Sequence, residues 1–587
     1  MLHLVPKPKR ITLKETILRY QGFRLVADDE KIANFVVALF RADGDTDVCF
    51  QKDETLSGEQ YTLQVTEKGV AVGYATVEGA YRATATWKQI ASQCKRGSIP
   101  CLEIFDEPDF ANRGYMLDIS RGKVPKLSFL KKLVDILADL KYNQLQLYMD
   151  AFVFEYDSFP QYTDKNGCLT KRQIKELQRY CEKRFIKLVP NQNGLGHMAA
   201  WTAKEELSYL AITGTDGKPS ATLNPLKEET LALVDKIYGD VLKTFSADVV
   251  NIGMDEPLEL GLNETEEACK RLGTGAVYTE YLNKVCELIF KKYGRTPMFW
   301  DDIVFRHSEQ LENIPKNAVV MDWGYEEQSP YERNCRRLAE LKRRFYVCPG
   351  SSTWLTFTGR SHNAVLNISM AAEVGKYYGA EGFLLTEWGD GGHPQFPAVT
   401  YFPLVFGGAV AWNAGSHVCD TAFNQRRDVL EDCHFYTDTY LLKTQGARSL
   451  SKLLYRMGNY YLLEDGLCFN HAESVRYGYR YAEDLPNDEK KRAFGRVARY
   501  MEGLQRELKT IGAPRYLKRE IQANAEMVIV TAKALAKGVD KRLEARISAL
   551  QKEFVTLWKR ENLQNGVEIF VERLENLKKD FALADER

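Results

Sequence analysis

Two adjacent carboxylic acids follow an apolar run near the middle of the chain. In the stretch VVNIGMDEPLELG, residues 249–261, Asp255 and Glu256 stand side by side and a proline comes next. The apolar run is typical of a buried strand, and neighbouring side chains on a strand point to opposite faces. Both acids therefore reach one pocket only if the backbone turns at Met254–Pro257. Such a pair suits catalysis in which one carboxyl moves a proton and the other stabilises positive charge.

The elements that position these acids form a repeating strand–helix pattern. Between residues 113 and 390, about eight short apolar strands alternate with helices such as LSFLKKLVDILADL, whose leucines recur at helical spacing. An eightfold repeat of this kind is typical of a (β/α)8 TIM barrel. A doubly wound sheet is the alternative, but no glycine-rich phosphate loop follows the first strand.

The segments on either side of this repeat have different patterns. Before it, YTLQVTEKGVAVGYAT predicts strands joined at a glycine turn, and EGAYRATATWKQIASQC predicts a helix. After it, long charged amphipathic runs such as KRLEARISALQKEFVTLWKRE predict helices. The predicted fold class is α/β, with a small N-terminal non-catalytic α/β domain at residues 1–107, a catalytic (β/α)8 TIM barrel at 108–415 and a C-terminal α-helical domain at 416–587.

Acids and tryptophans mark the predicted strand ends, which is where barrel active sites form. In chain order these positions hold Asp118, Asp150, Asn191, Asp255 with Glu256, Trp300 with Asp301, Trp323, Pro349 with Gly350, and Trp388 with Asp390. Aromatic faces stack on the apolar faces of sugar rings, and carboxylates accept hydrogen bonds from hydroxyl groups. The sequence therefore predicts a carbohydrate-processing cleft.

The adjacency of the two acids limits the mechanism. A usual retaining pair flanks the glycosidic bond with its carboxyl groups ~5–5.5 Å apart, which neighbouring residues do not readily do. One acid would instead protonate the leaving oxygen, while the other holds a nucleophile that the substrate supplies. A 2-acetamido sugar carries such a nucleophile, its carbonyl oxygen.

Several motifs in order resemble glycoside hydrolase family 20, the β-N-acetylhexosaminidases, which act by substrate assistance. IFDEPDFANRGYMLDISR resembles the start of that family's barrel, KYNQLQLYMD its second strand, and LVPNQNGLGHM its glycine–histidine strand end. NIGMDE resembles the paired-acid motif and TEWGD the closing tryptophan motif. YRATATWKQI resembles the family's N-terminal domain, and the helical C-terminus resembles an exo-acting bacterial subgroup.

The resemblance implies a role for each matching residue. Glu256 would be the general acid and then the base, and Asp255 would bind the acetamido N–H and stabilise an oxazolinium intermediate. Arg113 and Asp390 would bind hydroxyls of the terminal, non-reducing sugar. His197 would support these residues. Three tryptophans would wall the acetamido pocket and the sugar floor: Trp300, Trp323 and Trp388.

The chain departs from the family pattern at two positions. It has Trp388-Gly389-Asp390 where the family has Trp-x-Glu, and Trp354 stands where a family tyrosine contacts the acetamido oxygen. We expect Tyr325, in MDWGYEE, to supply that hydroxyl. Asp150 is expected to support the sugar-binding residues.

Two other functions remain open at this stage. A retaining glycosidase would use Glu256 as acid/base and Glu387 as nucleophile, which leaves Asp255 without a role. A carbohydrate-binding barrel without catalysis is the non-enzymatic alternative, although both adjacent acids are present. The sequence does not choose between N-acetylglucosamine and N-acetylgalactosamine.

Composition narrows the range of partners. The 587 residues contain 80 Lys plus Arg and 80 Asp plus Glu, so no net charge favours nucleic acid or an anionic membrane. No apolar run of ~18 residues and no secretory signal are recognised, and the cysteines lack metal-type spacing. We expect a cytoplasmic enzyme without metal or cofactor, acting on N-acetylhexosamine-terminated oligosaccharides or glycoconjugates. Trp558, in LWKRENLQNG, belongs to a surface helix ending at a turn, to a segment folded over the cleft, or to a homodimer contact; the first is favoured.

Overall fold

Among its described residues, the N-terminal domain contains a six-stranded sheet and one long helix. The computed structural model describes residues 2–27, 29–32, 44–164, 166–417, 426–464, 466, 469–479 and 485–583. The strands of this sheet are β1 Arg10–Arg19, β2 Phe23–Ala27, β3 Thr46–Lys52, β4 Tyr61–Thr66, β5 Gly69–Tyr74 and β6 Ser98–Asp106. Their order in the sheet is β1-β6-β4-β5-β3-β2. Helix α1, Val77–Gln93, packs on one face of the sheet through Ala80, Ala83 and Ile90.

A closed barrel of eight parallel strands follows, which confirms the predicted fold class. The barrel strands are β7 Asn112–Asp118, β8 Gln144–Met149, β9 Lys187–Gln192, β12 Val249–Asn251, β13 Thr296–Trp300, β14 Val319–Trp323, β15 Arg344–Cys348 and β16 Gly382–Glu387. The barrel closes where β16 pairs with β7. A hairpin that the sequence analysis did not anticipate, β10 Ala211–Thr213 and β11 Pro219–Leu223, lies between β9 and β12.

Both faces of the barrel strands are buried, which explains their near-continuous apolar runs. Met116 and Leu384 pack inside the barrel with other inward side chains. Their chain neighbours Leu117 and Leu385 pack outward against the helices. This alternation decides which residue at each strand end faces the central pocket.

The helices cover the barrel and then form the C-terminal helical region. Around the barrel they are α2 Leu127–Asp139, α3 Lys171–Glu182, α4 Ala199–Thr202, α5 Glu205–Ser208, α6 Glu228–Leu242, α7 Glu266–Leu272, α8 Thr274–Tyr293, α9 Asp302–Arg306, α10 Tyr331–Glu340, α11 Ser361–Tyr377 and α12 Tyr401–Trp412. The C-terminal helical region contains α13 Arg426–Tyr436, α14 Leu450–Met457, α15 Glu473–Gly478, α16 Asp488–Lys509, α17 Arg515–Lys537, α18 Lys541–Glu561 and α19 Val567–Asp580. Among the described helices, none is both long enough and apolar enough to cross a lipid bilayer.

The C-terminal helical region is attached to the loop that follows the first barrel strand. The backbone N–H of Leu563 donates to the carbonyl of Val124 at 2.8 Å, and that of Lys126 donates to the carbonyl of Glu561 at 2.8 Å. Trp558 is buried beside this junction, and its Nε1 donates to the carbonyl of Leu563 at 2.9 Å. The favoured interpretation of Trp558 as part of a surface helix ending at a turn is therefore wrong, because its side chain is buried at the contact with the barrel.

A buried ion pair joins the N-terminal domain to the underside of the barrel. The Lys141 ammonium donates to Asp106 at 2.7 Å and to the Tyr61 hydroxyl at 2.8 Å, and both charged side chains are inaccessible to solvent. Trp412 donates its Nε1 to the other oxygen of Asp106 at 2.8 Å. Lys141 and Asp106 each neutralise a charge that would otherwise be buried without a counter-ion.

Replacing Lys141 by methionine is expected to destabilise the protein by about 3–5 kcal/mol, because Asp106 stays buried without its cation. Urea unfolding followed by circular dichroism measures the loss. The matched control is Lys88→Met, since Lys88 pairs with Asp139 at 3.0 Å on the surface, where an ion pair contributes about 0–1 kcal/mol. Equal losses in the two variants would contradict the assignment.

Candidate active site

A pocket with about 420 Å³ of empty space, part of it open to solvent, lies at the carboxyl ends of the barrel strands. The pocket contains eight of the eleven predicted site residues and adds two that were not predicted, Arg121 and Asn470. Its lining consists of Arg121, His197, Asp255, Glu256, Trp300, Trp323, Tyr325, Trp388, Asp390 and Asn470.

An irregular turn brings the two adjacent acids into this pocket. Strand β12 ends at Asn251, and the backbone then takes positive φ at Gly253 (69°), Met254 (76°) and Glu256 (44°). The N–H of Trp300 donates to the carbonyl of Gly253 at 3.0 Å and holds the turn against the next strand. The turn cancels the strand alternation, so both side chains line one cavity, as the sequence analysis requires.

His197 bridges the two carboxylates. Its Nε2 lies 3.2 Å from Asp255 Oδ2 and 3.3 Å from Glu256 Oε2. Burial opposes charge on the imidazole, but the negative charge of Asp255 and the hydrogen bonds to both acids outweigh it and raise the pKa of His197 to about 10. Gly196 permits this approach, since a Cβ there would lie 2.0 Å from the carbonyl oxygen of Asp255.

The two acids have unequal surroundings. The Asp255 side chain is only 9% exposed, and its Oδ1 is buried without a hydrogen-bond partner among the described residues. The Glu256 side chain is 40% exposed and lies at the mouth of the pocket. The backbone N–H of Glu256 donates to Asp302 Oδ2 at 3.2 Å. Burial, and then the charge of Asp255, raise the pKa of Asp302 to about 7.

Aromatic side chains form the walls. Trp300 and Trp388 pack with ring centroids 5.6 Å apart, and Trp323 stacks on Tyr325 at 4.9 Å. Trp388 Nε1 donates to the Tyr325 hydroxyl at 2.7 Å, which leaves the hydroxyl proton of Tyr325 available to an acceptor in the pocket. The predicted position of Tyr325 as a pocket donor is consistent with this arrangement.

Trp354 lies behind the wall and does not line the pocket. It packs edge-on against Tyr325 at 5.0 Å, is buried, and donates its Nε1 to Asn470 Oδ1 at 2.7 Å. Its expected direct contact with substrate is therefore corrected: Trp354 positions Tyr325 and Asn470.

Arg113 was expected to bind sugar hydroxyls, and this prediction is wrong. The residue lies near the start of β7, at the opposite end of the barrel from the pocket. Its guanidinium is buried and donates to the carbonyls of Phe110 and Lys141 and to Glu59 at 2.6 Å. Arg113 therefore joins the barrel to the N-terminal domain.

Arg121 occupies the place that Arg113 was expected to take. It donates to Asp118 at 3.0 Å and lies 3.5 Å from Asp150 and 3.7 Å from Asp390. Burial opposes its charge, but Asp390 and the other nearby acids keep the pKa of Arg121 well above its ordinary value. Asp150 thus lies beside Arg121 outside the pocket lining, while Asp390 lines the pocket; the supporting role of Asp150 stays a prediction.

Glu387 points away from the pocket, which contradicts its alternative role as nucleophile. It precedes Trp388 on β16, so the strand alternation turns it outward. Its carboxyl accepts hydrogen bonds from the Tyr115 hydroxyl, from the Thr400 hydroxyl at 2.8 Å and from His393 at 3.0 Å. Burial raises the pKa of Glu387 to about 8.

The two unpredicted pocket residues differ in how they could have been found. Arg121 stands three residues after Asp118, at a strand end that the sequence analysis already marked. Asn470 comes from the C-terminal helical region, far along the chain from every barrel strand, and no local pattern marks it. Among the described residues, no group of three or more His, Cys, Asp or Glu side chains is placed to hold a metal ion.

The chain matches proteins of related sequence over about half of its length. It is 26% identical over 292 residues to the beta-hexosaminidase subunit beta of Entamoeba histolytica, covering 45% of this chain and 50% of that protein. It is 28% identical over 283 residues to the beta-hexosaminidase of Akkermansia muciniphila, covering 43% and 57%. The match thus spans only about half the length of these relatives.

Solved structures share the fold. A Flavobacterium johnsoniae chitobiase has a TM-score of 0.61 at 18% identity, covering 99% of each chain. The Bacteroides fragilis beta-N-acetylhexosaminidase has a TM-score of 0.60 at 19% identity, covering 74% of this chain and 96% of its own. Two family models match in succession, glycosyl hydrolase family 20, domain 2, at residues 3–107 and glycosyl hydrolase family 20, catalytic domain, at residues 110–386. With these models covering the N-terminal domain and the barrel, and with the paired acids in a shared pocket, the chain belongs to glycosyl hydrolase family 20.

Proposed function

We propose that this protein is an exo-β-N-acetylhexosaminidase that removes terminal, non-reducing β-linked N-acetylhexosamine with retention of configuration. The observation that carries the proposal is the free, buried Oδ1 of Asp255 beside Glu256 in an aromatic pocket. A carboxylate oxygen that lacks a donor in the free protein is suited to accept an N–H from a bound acetamido group. The names of the relatives, beta-hexosaminidases and a chitobiase, support the same class.

The pocket accommodates one terminal sugar. Trp300, Trp323 and Trp388 offer aromatic surface to the ring and to the acetamido methyl group. Arg121 and Asp390 face the same cavity and bind hydroxyl groups by charge-assisted hydrogen bonds.

In the first step the substrate provides the nucleophile. The acetamido oxygen attacks the anomeric carbon, the glycosidic bond breaks, and Glu256 gives its proton to the departing oxygen. Tyr325 directs the carbonyl oxygen by donating its hydroxyl proton. Asp255 accepts the N–H and stabilises the positive charge of the resulting oxazolinium ring.

In the second step water opens the ring. Glu256, now a carboxylate, takes a proton from water as the water oxygen bonds to the anomeric carbon. The carbon–oxygen bond of the oxazolinium breaks and the acetamido group is restored. Two inversions at one carbon give overall retention, and Glu256 is protonated again.

The proposed substrates are N-acetylhexosamine-terminated oligosaccharides or glycoconjugates. A cytoplasmic location, a homodimer, and independence from nucleic acid, membranes, metal and cofactors stay predictions of the sequence analysis.

Replacing Glu256 by glutamine is expected to lower kcat/KM on N,N′-diacetylchitobiose by about 10²–10⁴-fold, because the departing sugar needs a proton. Product release by the wild type and the variant is measured by chromatography. The matched control is Glu387→Gln, which keeps a neutral side chain among the same hydrogen-bond partners and should retain most activity. A larger loss in the Glu387 variant would instead support the two-glutamate mechanism.

A thiazoline that mimics the oxazolinium ring is expected to inhibit competitively, with an inhibition constant at least about 10²-fold below the substrate KM. Asp255→Asn should weaken this inhibition, because the amide brings a neutral group where the ring carries positive charge. Steady-state kinetics with a chromogenic β-N-acetylglucosaminide measure both effects. A β-glucoside without the acetamido group is the control and should not be hydrolysed; absence of thiazoline inhibition in the wild type would rule out substrate assistance.

Replacing His197 by glutamine is expected to remove the decline of kcat/KM that the wild type shows as pH rises through about 10. The pKa of His197, about 10, means that its positive charge is present throughout the neutral range and is lost only in alkali. The charged ring lies 3.2 Å from Asp255 and 3.3 Å from Glu256, whereas a glutamine has no charge to lose in this pH range. The control is His307→Gln, outside the pocket, which should leave the profile in place. An alkaline decline that persists in the His197 variant would show that deprotonation of the imidazolium does not limit activity.

A further inference from the structure

The C-terminal helical region contributes one residue to the wall of the pocket. Asn470 lies between α14 and α15 and lines the cavity together with Glu256, Trp323 and Tyr325. The other lining residues end barrel strands or lie in the loops after them. The pocket is therefore incomplete without a segment from outside the barrel.

The orientation of the Asn470 amide is fixed by its partner. The indole Nε1 of Trp354 is a donor only, so the atom 2.7 Å from it must be the amide oxygen, Oδ1. The amide nitrogen, Nδ2, then carries two N–H donors that no described residue accepts. Nδ2 is available to an oxygen acceptor in the pocket.

The backbone of Asn470 is held as firmly as its side chain. Its N–H donates to Glu326 Oε1 at 2.6 Å, and the same oxygen pairs with the buried Arg360 at 2.6 Å. The φ of 63° lies in the left-handed region, which asparagine adopts more readily than most residues. A donor fixed at both ends loses little conformational entropy on binding.

Depth in the pocket indicates which part of a substrate meets Asn470. The inner part of the pocket is lined by buried side chains such as Asp255, Trp300 and Trp388, whereas Glu256 and Asn470 are both partly exposed at the mouth. Under the proposed function the terminal sugar occupies the inner part of the pocket, and the bond to be cleaved lies beside Glu256. The departing group therefore lies at the mouth, beside Asn470.

We propose that Asn470 forms the binding subsite for the departing sugar. Asn470 Nδ2 donates to a hydroxyl or ring oxygen of that sugar. The subsite selects a carbohydrate leaving group over a flat aryl one. This inference rests on the proposed hydrolase function and extends it to the identity of the leaving group.

The test compares two substrates, N,N′-diacetylchitobiose and p-nitrophenyl N-acetyl-β-glucosaminide. In Asn470→Ala, the loss of kcat/KM on the disaccharide is expected to exceed the loss on the aryl glycoside by about 3–10-fold, the size of one hydrogen bond. The control is Leu583→Ala, an exposed apolar residue near the end of the helical region, which should leave the ratio unchanged.

A second variant separates binding from architecture. Asn470→Asp keeps an acceptor for Trp354 but lacks the Nδ2 donors, so it should be impaired on the disaccharide like the alanine variant. Recovery to the wild-type ratio in Asn470→Asp, or equal losses on both substrates in Asn470→Ala, would overturn the subsite. A wild type inactive on both substrates would overturn the proposed function itself, and the subsite with it.

Discussion

Neighbouring side chains on a strand point to opposite faces, so Asp255 and Glu256 could not share a pocket if β12 continued through them. The whole site depends on the irregular turn that replaces the strand at this point. Two non-glycine residues, Met254 and Glu256, adopt positive φ, a conformation that costs about 1–3 kcal/mol each. The surrounding structure offsets this cost: Tyr278 donates to the Met254 carbonyl at 3.1 Å, and Met254 is fully buried. Catalytic geometry is thus obtained from packing around the turn.

Much of the architecture could be predicted, because barrel strands buried on both faces give short apolar runs that alternate with amphipathic helices. Most apolar runs end at or beside an acid or a tryptophan. Because active sites of these barrels form at the strand ends, the positions of these residues also predicted the lining of the pocket. The family assignment from NIGMDE and TEWGD is confirmed by the matching family models. The β10–β11 hairpin was not anticipated, since it lies in a loop whose structure depends on contacts with its surroundings.

The remaining errors have physical causes. Arg113 and Arg121 flank the same strand, and only the strand direction separates the supporting end from the pocket end; applied strictly, it selects Arg121. The alternation of side chains along β16 likewise places Glu387 outside the barrel, because the neighbouring Trp388 points into the pocket. Asn470 was beyond reach, because its position depends on how the helical region packs on the barrel, and local sequence does not encode that contact.

The junction between the helical region and the first barrel loop has an evolutionary consequence. Backbone hydrogen bonds from Leu563 and Lys126 attach the helices to the loop that carries Arg121, while Asn470 itself lines the pocket. Recombination that exchanged the helical region between homologues would therefore alter both the support of Arg121 and the pocket lining at once.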